Sequence, residues 1–140
     1  MPADERQCVL VTGATGALGR AVVRRFAADG ARLALVGRHE DRLRRVAEGA
    51  GLADEDWMPV LGELTDRGSA QAVVDAVEAR FGRIDVLLHL VGGWAGGVPV
   101  VDLDPDVLRG MLDQHLWTTL HVTQAASPAW SNAASAGCSP

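Results

Sequence analysis

A doubly wound α/β fold, with a parallel sheet in strand order 3-2-1-4, is predicted by three features of this chain. Apolar β runs and amphipathic helical segments alternate four times along the sequence. The apolar runs are nearly continuous, as in strands covered by helices on both faces. Between the first strand and the first helix lies Thr12-Gly13-Ala14-Thr15-Gly16-Ala17-Leu18-Gly19, a glycine-rich turn. Such a turn leaves backbone N–H groups free at a helix start, where they attract anions such as a nucleotide diphosphate. Right-handed crossovers then give the strand order.

The elements follow in turn. Strand one is Gln7 to Thr12, and helix one is Ala17 to Asp29. In that helix Val22, Val23, Phe26 and Ala27 share an apolar face, and Gly30 supplies the stop. Strand two is Arg32 to Val36, helix two Glu40 to Glu48, and strand three Trp57 to Leu61. Helix three spans Ser69 to Phe81, with Ala72, Val73, Ala76, Val77 and Phe81 at helical spacing. Strand four is Ile84 to Leu90. A glycine-rich loop, Val91 to Leu103, leads to Asp104-Pro105, an N-cap followed by proline at the first helical position. The last helix is read as Pro105 to Ala126, stopping at Ser127-Pro128. The tail, Ala129 to Pro140, is rich in Ala, Ser and Gly and reads as disordered.

Composition narrows the function. The 140 residues are 48% hydrophobic and 22% charged with a net charge of -5, which describes one soluble domain. All 13 basic residues are Arg and they are interleaved with acids, so a nucleic-acid partner is not expected. No apolar run reaches membrane-spanning length, and Met1 to Gln7 lacks the apolar core of a signal peptide. Cys8 and Cys138 read as free thiols of a reducing compartment, hence a cytoplasmic protein. Neither they nor the scattered histidines have metal-ligand spacing, so no metal is expected.

The T-G-x-x-x-G-x-G spacing resembles the cofactor loop of short-chain dehydrogenases/reductases. Further stretches resemble that family in the right order. Val36-Gly37-Arg38 closes strand two, Gly62-Glu63-Leu64-Thr65-Asp66 follows strand three, and His89-Leu90-Val91-Gly92 stands where the family has N-N-A-G. Asp113-Gln114-His115-Leu116 resembles the segment whose Asn helps position a catalytic Lys, with His115 at the Asn position. The resemblance runs from about Val9 to Pro128 and implies a Rossmann-like dinucleotide-binding domain over residues 1–128.

It also implies the contacts. Gly13, Thr15, Gly16, Ala17, Leu18 and Gly19 would meet the diphosphate, Glu63 and Leu64 the adenine, and Leu90, Val91 and Gly92 the nicotinamide ribose. Gly37 stands where many relatives place the acid that holds the ribose 2′-hydroxyl, and Arg38 follows it. A guanidinium grips a 2′-phosphate that an acid would repel, so NADP(H) is expected over NAD(H).

The family's later strands, catalytic Ser and Y-x-x-x-K helix have no counterpart in this sequence, which contains no Tyr and no Lys. The sheet is therefore expected to be incomplete and the chain inactive, with no catalytic residue assigned. Two alternatives stay open: a stand-alone NADP(H)-binding or regulatory module, and a truncated gene product without stable function. Residues 131–140 do not continue the family pattern, which favours a frameshift or early stop near that point. Strand four would then present an apolar edge, a template for association with a second copy or another chain.

Overall fold

In the computed structural model, which describes residues 5–136, four parallel strands form one sheet. They are β1 (Cys8–Thr12), β2 (Arg32–Gly37), β3 (Trp57–Leu61) and β4 (Val86–His89), in the order β3-β2-β1-β4. The predicted topology is therefore present. Thr12 lies in register with Val36 on one side and with His89 on the other. The carboxyl ends of β1, β2 and β4 consequently reach one edge of the sheet together. The chain leaves β1 toward β2 on one side and returns to β4 on the other, so a crevice opens at that edge.

Helices cover both faces. Helices α1 (Ala17–Ala28) and α2 (Glu40–Gly49) lie on one face; α3 (Arg67–Phe81) and α5 (Thr118–Ala136) lie on the other. Alternation along β1 divides the core in two. Val9 and Val11 pack with Val23 of α1 and Leu43 of α2. Cys8 and Leu10 face Val73, Val74 and Val77 of α3 and Val122, Ala125 and Ala126 of α5. Every residue of β1 is fully buried, as a central strand requires. Burial pushes the Cys8 thiol up to about 11, so it is an inert core group. Cys138 lies outside the described residues.

Strand β4 departs from the expectation of a strand buried on both faces: all four of its residues are only half-buried. Among the described residues, no strand pairs with its outer edge. It is shorter than the expected Ile84 to Leu90, because Asp85 is used otherwise. The Asp85 carboxylate accepts from the Cys8 backbone N–H at 2.8 Å and pairs with Arg83.

Caps match local chemistry. Asp66 caps α3 by accepting from the Ser69 backbone N–H at 2.9 Å, which holds its carboxyl below the usual carboxylate range. Asp104 caps α4 (Pro105–Leu112) through the Asp106 N–H at 2.9 Å.

The last helix differs from expectation in two places. It is interrupted at Asp113–Trp117 by a π-helical turn, two of whose carbonyls accept from threonine hydroxyls. Thr118 Oγ1 donates to the Gln114 carbonyl and Thr119 Oγ1 to the His115 carbonyl, each at 2.5 Å. It also does not stop at Ser127-Pro128, and residues 129–136, expected to be disordered, continue it. Pro128 costs the helix one backbone bond, but Ala125 and Ala126 before it are buried and Trp130 beyond it packs against the core. Residues 137–140 lie outside the described chain.

The buried strand β1 sets the stability of both half-cores. Leu10→Ala should destabilise the fold by about 2–5 kcal/mol, read as a lowered urea midpoint.

Candidate functional site

The crevice at the carboxyl edge is a cleft of about 530 Å³. Its walls come from five segments: the glycine loop, the end of β2 with the start of α2, the loop after β3, the loop after β4, and the π turn with the start of α5. Each is placed by a strand end or by the packing of α5 on α3.

The glycine loop is built by backbone proximity. Gly13 has φ 70°, and a Cβ there would stand 2.5 Å from the Leu90 carbonyl oxygen. A Cβ on Gly19 would collide with the Gly13 carbonyl. These two glycines are thus structural: they let the loop lie against the end of β4 and let α1 lie against the loop. Gly16 is different. With φ -71° it tolerates a side chain, and a Cβ would meet only the Gly13 oxygen at an ordinary 3.5 Å. Its open side faces the cleft. As the N-cap of α1 it offers no side-chain cap, and the first turn of α1 carries no acid. The helix start is left bare where an anion would sit.

Arg38, His39 and Arg42 line the far end of the cleft. Arg42 was not evident in the sequence. Its signal is distributed over α2, whose two first-turn acids are already committed. Glu40 pairs with Arg44 at 3.3 Å and Asp41 with Arg45 at 2.8 Å. Arg45 holds the Asp41 carboxyl below its ordinary range. Among the described residues neither Arg38 nor Arg42 makes an ion pair. Gly37 has a packing reason as well: a Cβ there would press on Leu43 at 3.0 Å.

Most of the predicted contacts converge. Gly13, Thr15, Gly16, Arg38, Glu63, Leu64, Leu90, Val91 and Gly92 all line the cleft. Glu63 is exposed, whereas the Leu64 side chain is buried in the core on the α3 side. Three residues do not line it: Ala17, Leu18 and Gly19. Leu18 points to solvent at 63% exposure. Asp113, Gln114 and Thr118 line the cleft and were missed, since only the π turn brings them there.

Behind the cleft a polar chain crosses the sheet edge. Thr12 Oγ1 lies 2.7 Å from His89 Nδ1, and His89 Nε2 lies 3.2 Å from Thr118 Oγ1. Thr12 Oγ1 also accepts from the Leu90 N–H at 3.2 Å. Burial, and secondarily the charge of His115, holds His89 below its ordinary pKa. His115 itself reaches the Gly93 carbonyl, with Nε2 at 2.7 Å.

Fold and cleft together define a dinucleotide-binding class of α/β protein. The short chain dehydrogenase profile matches residues 7–138, and the chain belongs to that family. It is 35% identical over 120 residues to a protein named sulfoacetaldehyde reductase 2 from Chromohalobacter salexigens, covering 86% of this chain and 47% of the relative. Among solved structures, an NAD+-bound xylitol dehydrogenase superposes with TM-score 0.83 at 26% identity, covering 91% of this chain and 49% of that one. A metagenomic short-chain oxidoreductase in complex with NADP superposes with TM-score 0.82 at 28% identity, covering 91% and 57%. The chain thus spans about half the length of the relatives it matches. No helix among the described residues is long and apolar enough to cross a membrane.

Gly13→Ala tests the loop geometry. It forces a side chain at positive φ into the Leu90 peptide and should cost about 1–3 kcal/mol in denaturant unfolding.

Proposed function

We propose that this chain is the cofactor-binding part of a nicotinamide-dependent carbonyl or alcohol oxidoreductase, and that it prefers NADP(H) to NAD(H). The observation that carries the reading is the pairing of a bare helix start, beside the open face of Gly16, with two guanidiniums that make no ion pair among the described residues, at the other end of one cleft. A diphosphate suits the first. A 2′-phosphate suits Arg38 and Arg42, which no described acid engages in an ion pair. Glu63 and the backbone at Leu64 border the space an adenine would take, and Leu90, Val91 and Gly92 border the opposite end. When bound, the nicotinamide supplies or accepts hydride.

Within these 140 residues, no Tyr or Lys is present to serve as the family's proton donor and its partner. The chain by itself is therefore read as binding cofactor without turning over substrate. His115 occupies the family's Asn position, but its Nε2 is engaged with the Gly93 carbonyl.

Calorimetric titration with NADP+ and NAD+ tests this. The unmutated chain should favour NADP+. Arg38→Ala and Arg42→Ala should each reduce that preference, Arg38→Ala by about tenfold, the scale of one charge-assisted contact. Equal affinity for the two cofactors in the unmutated chain overturns the NADP(H) assignment. Gly16→Ala separates binding from folding: the unfolding midpoint should hold while affinity for both cofactors falls. Steady NADPH consumption with ketones or aldehydes by the purified chain would refute the inactive reading.

A further inference from the structure

One imidazole touches three of the cleft's walls. His89 ends β4, directly before the wall residues Leu90, Val91 and Gly92. Its Nδ1 meets Thr12, which ends β1 directly before Gly13 of the glycine loop. Its Nε2 meets Thr118, itself a wall residue, at the junction of the π turn and α5.

The protons of this chain can be assigned one by one. Thr118 Oγ1 gives its hydrogen to the Gln114 carbonyl, so toward His89 it can only accept. Nε2 must therefore carry a hydrogen. Thr12 Oγ1 accepts from the Leu90 N–H, and its own hydrogen needs an acceptor. A bare Nδ1 supplies one. The neutral Nε2–H tautomer thus satisfies every group in the sequence Leu90 N–H, Thr12, His89, Thr118, Gln114 carbonyl. An imidazolium would turn Nδ1 into a donor and leave the buried Thr12 hydrogen without an acceptor.

We propose that His89, as the neutral Nε2–H tautomer, is the positioning residue that holds the glycine loop, the loop after β4 and the π turn in register around the cleft. It touches no cofactor itself, and its bearing on affinity rests on the cofactor reading given above. The elements around it carry these titratable and polar groups. Strand β1 contributes Thr12 and, at its far end, the neutral thiol of Cys8. The π turn contributes His115, whose charge disfavours protonation of His89, together with Asp113. Helix α5 contributes Thr118 and His121.

The consequence for pH has a definite sign. His89 is harder to protonate folded than unfolded. Its contribution is complete above about pH 6.5, the ordinary histidine value, and declines as pH falls below it.

Long-range 1H–15N spectra of the labelled chain at pH 7.5 test the tautomer directly. A protonated Nε2 and a bare Nδ1 on His89 are expected; a protonated Nδ1, on either the other tautomer or a cation, overturns the proposal. Thr118→Val should move the amide signals of Leu90, Val91 and Gly92 and weaken NADP+ binding about threefold to tenfold, the scale of one lost hydrogen bond. His89→Leu should move those amides and those of Gly13 and Gly16. His89→Gln, which keeps a donor and an acceptor, should restore them and lessen the loss of stability below pH 6.5. Loop amides unmoved in both Thr118→Val and His89→Leu overturn the proposal. If those amides move as expected while the unmutated chain binds neither NADP+ nor NAD+, the cofactor reading fails and the positioning role stands.

Discussion

The contact of Gly13 with the Leu90 peptide is the constraint on which the rest of the site depends. Two adjacent parallel strands end side by side, and the chain leaving the first must turn against the chain leaving the second. No side chain fits between them. Because the backbones touch there, α1 begins directly above the sheet edge, and its start faces the crevice rather than solvent beside it. Gly19 repeats the constraint one turn later by letting the helix rest on the loop. Both positions act through shape alone, whereas Gly16 has room that it does not use.

Charge is arranged by subtraction as much as by placement. The first turn of α2 carries two acids, which would repel an anion held nearby. Arg44 and Arg45, one turn further on, engage both of them. Exposed pairs of this kind add little to stability. Their effect lies instead in leaving Arg38 and Arg42 without an ion pair among the described residues at that end of the cleft. Under the NADP(H) proposal arginine is the fitting residue for such a place, since a planar fork can meet a phosphate in two bonds.

Much of this was legible in the residues because periodicity and glycine spacing are local signals. The four strands, their order, the first three helices and the glycine turn follow from them, and nine of the twelve proposed contacts line one cleft. Leu18 and Gly19 are absent from it because a helix start directs successive residues to different sides, one to solvent and one to the loop. Arg42 escaped notice because its standing depends on which acids its neighbours have already engaged. Gln114 and Thr118 escaped because no local pattern announces a π turn; the adjacent Thr118 and Thr119, whose hydroxyls bond carbonyls of the turn, are the nearest sign of one. The far end of the last helix was misjudged for another reason. Proline is a strong local stop, but burial on either side of Pro128 outweighs the bond it removes.

The π turn at Asp113–Trp117 carries a further meaning. Such a turn is an α-helix with one residue to spare, the trace of a single insertion. Winding the same residues as an unbroken α-helix would remove the turn. It would also rotate α4 by about 100° relative to α5. The apolar residues that α4 now shows to solvent, Leu108 and Leu112 among them, would swing to a new side, and Gln114 would leave the cleft wall. The surplus residue thus works as a phase shift: it lets one continuous rod present one azimuth to the sheet and another, unrelated one to whatever lies beyond.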